Sequence, residues 1–167
     1  SSAFSTTTAS AGITVNSVND APQGSDNVVT INEDSEYTFS AADFGFSDPN
    51  DSPANSLNAV RITTFAGAGT LTNDGVTVSP AQTITVSNIN AGKLKFTPAA
   101  NASGMDYARF TFRVRDNGGT INNGVNLDPS ANTLTVNVTA VNDAPAGANN
   151  TVSTNEDSAY TFAAADF

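Results

Sequence analysis

Almost every side chain in this sequence that could carry chemistry is an oxygen donor. There is no His, no Cys and no Trp. Without His the usual general base near neutral pH is missing, and so is imidazole as a ligand for zinc, copper or iron. Without Cys no disulfide framework and no thiolate metal site can form. Neither a Ser-His-Asp nor a Cys-His set can be assembled. What remains is 16 Asp and Glu against 6 Lys and Arg, a net charge of −10. The acids stand in short motifs: Asn19-Asp20, Asn32-Glu33-Asp34, Asp48-Pro49-Asn50-Asp51, Asp106, Asp116-Asn117-Gly118 and Asn142-Asp143.

Two unpaired carboxylates ~4 Å apart repel by about 1 kcal/mol in water, and by more when partly shielded. A cluster of four or five needs a counter-ion, and the bases are poorly placed to supply it, because most sit on mid-strand faces. Oxygen-only sites favour calcium or magnesium. Calcium takes ~6–8 oxygens and uses both carboxylates and amide carbonyls, which suits the recurring Asn beside Asp. Asp26, Glu36, Asp74 and Asp128 read instead as solvated surface that aids solubility, and Asp34 could cap a turn. Asp48-Pro49-Asn50 opens like an EF-hand loop, but Pro53 stands where that loop needs Gly and Ala59 where it needs Glu. Paired carboxylates could hydrolyse glycosides, yet a catalytic pair repeated at strand ends in every module is not expected, and we read the chain as no enzyme.

Charge and hydropathy exclude other classes. A net charge of −10 argues against nucleic-acid binding, since phosphate contacts need a basic face. No apolar run approaches the ~20 residues of a membrane span. Ser1 to Ser10 has neither the basic nor the apolar region of a secretion signal. Nothing points to a small-molecule substrate.

The elements that must position these acids are short strands. Thr (22) and Asn (21) are abundant, which favours strands joined by Asn/Asp/Gly turns. Alternation predicts strands at Val28–Ile31, Tyr37–Phe39, Leu57–Thr64, Thr83–Val86, around Leu94 and Phe96, at Tyr107–Arg115 and at Thr133–Thr139. Asp74-Gly75 between two alternating runs predicts a hairpin. Ala41–Phe44 reads as one helical turn. In the Tyr107–Arg115 strand, Phe110, Phe112 and Val114 face one way and Arg109, Arg113 and Arg115 the other. Two inward rows of this kind predict an all-β, two-sheet antiparallel β-sandwich of eight or nine strands, with the acid motifs gathered at its two ends.

A repeat sets the domain organisation. Residues 18–44 and 141–167 align without a gap at an offset of 123, with 19 of 27 positions identical. A repeat this long is a domain, not a solenoid unit. The expected division is a last strand of a preceding repeat at 1–17, a complete repeat at 18–140, and the first part of a following repeat at 141–167.

The Val-Asn-Asp-Ala-Pro motif (18–22 and 141–145) resembles the inter-domain linker of cadherins. Asn32-Glu33-Asp34 looks like their first-strand Glu motif, and Phe112-Arg113-Val114-Arg115-Asp116 resembles the late strand that ends in a calcium-binding Asp. The stretch from Phe96-Thr97-Pro98 through Gly104-Met105-Asp106 to Gly119 is similar to the cadherin-like tandem-repeat modules of giant bacterial RTX adhesins. The resemblance covers nearly the whole 123-residue unit. It implies an Ig/cadherin-like sandwich repeated in tandem, in a bacterial protein that is secreted and displayed outside the cell or on its surface, with Ca2+ at the inter-repeat joints. It further implies that Glu33, Asp106, Asn142 and Asp143 serve the joint after the repeat, and that Asn19 and Asp20 meet Asp48, Asp51 and Asp116 at the joint before it. The Asp48 and Asp51 spacing departs from the cadherin pattern. The function implied is a calcium-stiffened extender whose partners are neighbouring repeats of the same polypeptide. Two alternatives are a subunit that joins other copies head-to-tail in a filament or surface layer, and a carbohydrate- or surface-binding module.

Overall fold

The strand with the clearest alternation anchors the structure. In the computed structural model, which describes residues 7–167, Phe110, Phe112 and Val114 are fully buried while Arg109 and Arg115 are exposed. They belong to a strand that runs over Gly104–Asp116. The strands are β1 (Asn27–Asn32), β2 (Tyr37–Thr38), β3 (Leu57–Gly67), β4 (Thr70–Asn73), β5 (Val76–Thr77), β6 (Thr83–Thr85), β7 (Leu94–Thr97), β8 (Gly104–Asp116) and β9 (Asn132–Thr139). A short helix, α1, spans Val86–Asn90, and a 3-10 turn spans Ala41–Phe44.

The strands form two sheets, one ordered β1-β9-β8-β3-β6 and the other β2-β7-β4-β5. The predicted sandwich is therefore present. Its core joins the sheets through aromatic rings: Phe39 meets Phe110 edge-on at 5.4 Å between ring centroids, and Phe44 meets Phe112 at 5.0 Å. Edge-to-face pairs of this kind add to the stabilisation from burial. The Asp74-Gly75 turn closes the β4–β5 hairpin with both residues at positive φ, 55° and 75°. That is the geometry a tight hairpin requires and the reason Gly stands there.

Three features depart from the sequence reading. The sandwich is not wholly antiparallel, because β1 pairs with β9 in parallel, Asn27 beside Leu134 through Asn32 beside Thr139. Alternation cannot distinguish the two pairings, since both bury every second side chain. The run Thr83–Val86 does not continue as a strand. Thr85 Oγ1 accepts from Asn88 N at 3.2 Å and starts α1, so a helix cap takes over from the strand. Of the strand expected at 1–17, residues 1–6 lie outside the described residues. Over 7–17 no strand forms, and Ile13 and Val15 are 91% and 88% exposed.

Residues 141–167 form no strand either, but they reproduce one local structure. Tyr160 OH donates to Asp166 Oδ1 at 3.0 Å, and Ala163 N donates to Asp166 Oδ2 at 2.7 Å. In the complete repeat, Tyr37 OH and Ser40 N make the same bonds to Asp43, at 3.1 and 2.7 Å.

Candidate metal centres at the two ends of the sandwich

β8 runs the length of the sandwich and ends at Asp116, beside Leu57 at the start of β3. The linker at Asn19 enters there. Asp116 is fully buried. Its Oδ1 accepts from Gly118 N at 2.8 Å, and both its oxygens lie 3.3 Å from Asn19 Nδ2. Asn19 Nδ2 also donates to Val125 O at 2.6 Å, and Asn19 O accepts from Val125 N at 2.8 Å. Gly118 leaves room for this arrangement, since a Cβ there would displace the Asn19 and Asn55 side chains.

The 48–55 loop closes the other side. Asn55 Nδ2 donates to Asn19 Oδ1 and to Asp51 Oδ2, the latter at 3.1 Å. Asp51 Oδ2 also accepts from Asp20 N at 3.0 Å, and Asp48 Oδ2 accepts from Asn55 N. Asp48 is 7% exposed, and its Oδ1 has no hydrogen-bond partner among the described residues. A buried carboxylate oxygen without a donor is costly. Ser17, Asn19, Asp51, Asn55 and Gly118 line an open cleft of about 220 Å³ at this end.

Asn19, Asp20, Asp48, Asp51 and Asp116 thus sit in one hydrogen-bonded set, with Asp20 taking part through its backbone while its side chain faces solvent. Asn55 is a member that the sequence reading missed. It is one Asn among 21, in no motif, and only the fold of the 48–55 loop brings it to Asn19.

The far end is looser. Glu33 is 8% exposed, and its Oε1 accepts from Val141 N at 2.7 Å, which ties the outgoing linker to the end of β1. Asp106 is held elsewhere: its Oδ2 pairs with Arg109 at 2.7 Å, and its backbone N–H donates to Asn137 Oδ1 at 2.8 Å. Asn142 and Asp143 are exposed, and among the described residues Asn142 Nδ2 donates to Asp143 O at 3.1 Å. Glu33, Asp106, Asn142 and Asp143 therefore do not share a hydrogen-bonded set as the entry-end residues do. Among the described residues no three His, Cys, Asp or Glu side chains stand close enough together to hold one metal ion.

The entry end holds oxygen donors of the kind a hard cation takes, Asp48 with a buried oxygen to spare, but its carboxylates do not converge on one point. To join such an ion, Asn19 would have to turn its carbonyl, in place of its amide nitrogen, toward Asp116.

The acids read as plain surface divide. Asp74 and Glu36 are exposed and pair with Lys93 and Lys95 at 2.9 and 2.6 Å. Exposed pairs of this kind contribute little. Asp128 overturns its reading. It is 4% exposed and accepts from Gly24 N, Ser130 N and Asn132 Nδ2 at 2.8, 2.8 and 2.9 Å. It staples the segment before β1 to the turn before β9. Asp26 does similar work through Thr133 N at 2.7 Å. Asp34, at φ 59°, accepts from Asn101 N at 3.0 Å.

Searches of curated proteins and of solved structures found no match. A family model described as a bacterial Ig domain matches residues 19–139. The match starts at the linker residue bound to Asp116 and ends with the last residue of β9, so it spans the whole sandwich, and the chain belongs to the bacterial Ig domain family.

Proposed function

We propose that this chain is an extender segment of a secreted, surface-displayed bacterial adhesin of the RTX kind, in which calcium stiffens the joint between consecutive Ig-like repeats. Bacterial Ig-like domains are typically structural, not enzymatic, which supports the coarse part of the reading. The observation that carries the finer part is the entry end of the sandwich. There the linker residue Asn19 is bound to a fully buried carboxylate, Asp116, beside a second buried carboxylate, Asp48, with an unused oxygen. The linker recurs 123 residues later as Val141–Pro145, so each repeat would meet its neighbour through the same motif.

Asn19, Asp48, Asp51 and Asp116 would hold the ion at this end, with Asp20 turned in from solvent. At the far end Glu33 would contribute with Asn142 and Asp143, and with Asp106 if it left Arg109. Bound calcium would supply positive charge where carboxylates crowd. The chain's own part is to fix the linker's direction: Asn19 is held by Asp116 and Val125, and Glu33 holds Val141. Ligand binding to the folded joint adds directly to its stability.

Small-angle scattering and thermal melting of the chain in millimolar calcium and in chelator test the reading. Calcium should raise the melting temperature and narrow the distribution of end-to-end distances. Identical curves in both conditions would rule out the cation-stiffened joint, and regular fibres in electron micrographs would favour head-to-tail assembly over a simple extender.

A further inference from the structure

The outer face of the five-stranded sheet carries a row of arginines that form no ion pair among the described residues. Arg61 on β3 lies directly opposite Arg113 on β8, and Arg115 follows two residues along β8 on the same face. Like charges directly opposed across a strand pair are destabilising. The chain has 16 carboxylates, yet the ion pairs among the described residues use Lys93, Lys95 and Arg109, and none uses Arg61, Arg113 or Arg115. Arg113 Nε is buried with no hydrogen-bond partner among the described residues.

Arg61 and Arg115 line a cleft of about 190 Å³ together with Thr83, Asn126, Ala81 and Leu127. The register explains the grouping. Thr83 on β6 stands beside Arg61, and Leu127 bridges to Arg115. With its amide oriented to satisfy both groups, Asn126 accepts from Arg115 Nε and Nη2 at 3.3 and 3.2 Å. Ala81 is held at φ 68° by the Ser79–Gln82 turn, in which Gln82 N donates to Ser79 O at 3.1 Å.

We propose that this cleft binds a carboxylated saccharide. Guanidinium forks recognise carboxylates in a bidentate manner. Thr83 and Asn126 supply neutral hydrogen-bonding groups for ring hydroxyls, and Ala81 and Leu127 supply an apolar floor for the C–H face of the ring. An acidic peptide would use only the arginines, whereas this mixed lining matches a ring that bears hydroxyls and one carboxylate. The proposal does not depend on calcium at the joints.

Titration of the chain with trigalacturonate, followed by calorimetry or amide NMR shifts, tests it, with neutral maltotriose and oligoglutamate as controls. Saturable, salt-weakened binding of trigalacturonate is expected, with none of maltotriose. Arg61→Gln and Arg115→Gln should each weaken binding by about ten- to hundredfold, since each removes charge-assisted hydrogen bonds. Both side chains are exposed, so the melting temperature should hold, and Thr83→Ala offers a second variant that keeps the charge and still weakens binding. Absence of trigalacturonate binding at millimolar concentration would overturn the proposal. So would equal binding of maltotriose, binding indifferent to Arg61→Gln and Arg115→Gln, or oligoglutamate binding as tight as that of the saccharide.

Discussion

Replacing Asp116 by Ala should detach the incoming linker and destabilise the sandwich, and the structure lets the size be worked out. Asp116 is fully buried and accepts from Gly118 N at 2.8 Å and from Asn19 Nδ2 at 3.3 Å to each oxygen. A hydrogen bond to a charged group contributes ~1.5–3 kcal/mol when short and well aligned. The Gly118 bond falls in that range, while the long, shared Asn19 contact contributes toward the ~1 kcal/mol of an ordinary bond. Truncation also removes a buried charge, and the relieved desolvation offsets part of the loss. The net is about 2–3 kcal/mol, which for a domain of this size lowers the melting temperature by roughly 6–10 °C. Urea denaturation in chelator gives this intrinsic cost, read from a shifted midpoint at constant slope. The same measurement in calcium isolates the proposed joint. A ligand at a hundredfold excess over its dissociation constant adds about 2.7 kcal/mol, and Asp116→Ala should forfeit most of that gain. A cost below about 0.5 kcal/mol in chelator, within the range of ordinary surface changes, would refute Asp116 as the linker's anchor. A calcium gain fully retained in the variant would refute it as a ligand.

Asp128→Ala removes one acceptor from three donors at a site that is 4% exposed, so it should cost ~2–4 kcal/mol in urea denaturation in chelator and in calcium alike. Tyr37 titrates above the ordinary phenol range because burial, and then the nearby Asp43 carboxylate that accepts its proton, disfavour the phenolate. Its folded pKa is raised, so its contribution is complete below the unfolded value near 10 and is lost as pH rises through the folded one. Tyr37→Phe should therefore lower stability by about 1 kcal/mol at neutral pH and flatten the decline of stability measured by denaturation above pH 10.

The sandwich was legible because its signal is local. Phe110, Phe112 and Val114 against Arg109, Arg113 and Arg115 state which face is buried without reference to any other strand, and Asp74-Gly75 announces its own turn. The parallel partner of β1 was not legible, since Val29 and Ile31 alternate in the same way beside either kind of neighbour. The entry-end acids stand in short motifs visible in the sequence, but it was the resemblance to cadherins that grouped them at one end. Asn55 and the buried role of Asp128 were not legible, because each is made by chain segments distant in sequence. Asn55 reaches back 36 residues to Asn19, and Asp128 reaches 104 residues to Gly24. The arginine row illustrates the opposite failure. The alternation placed those side chains outward, but only the register of β3 on β8 sets Arg61 against Arg113 and makes the row a site.

The second copy of the linker and first segment separates what is local in this repeat from what is not. Residues 160–166 form the same tyrosine-to-aspartate bond and the same backbone-to-aspartate bond as residues 37–43. Ala148 N meets Phe167 O at 3.3 Å just as Ser25 N meets Phe44 O. These contacts span at most 20 residues and need nothing from the rest of a sandwich. The strands do: β1 pairs with β9 more than 100 residues later, and β2 pairs with β7. Accordingly Phe162 and Phe167 are 63% and 74% exposed, whereas their counterparts Phe39 and Phe44 are 1% and 0%. The turn is encoded on the spot and the core only by closure of the whole unit, because long-range pairing must first overcome the entropy of closing the loop. A repeat built this way cannot share its first strand with a neighbour without opening its own sheet at β9. The proposed joint would instead draw on the ends of the sandwich, where Asn19 and Val141 are bound to Asp116 and Glu33.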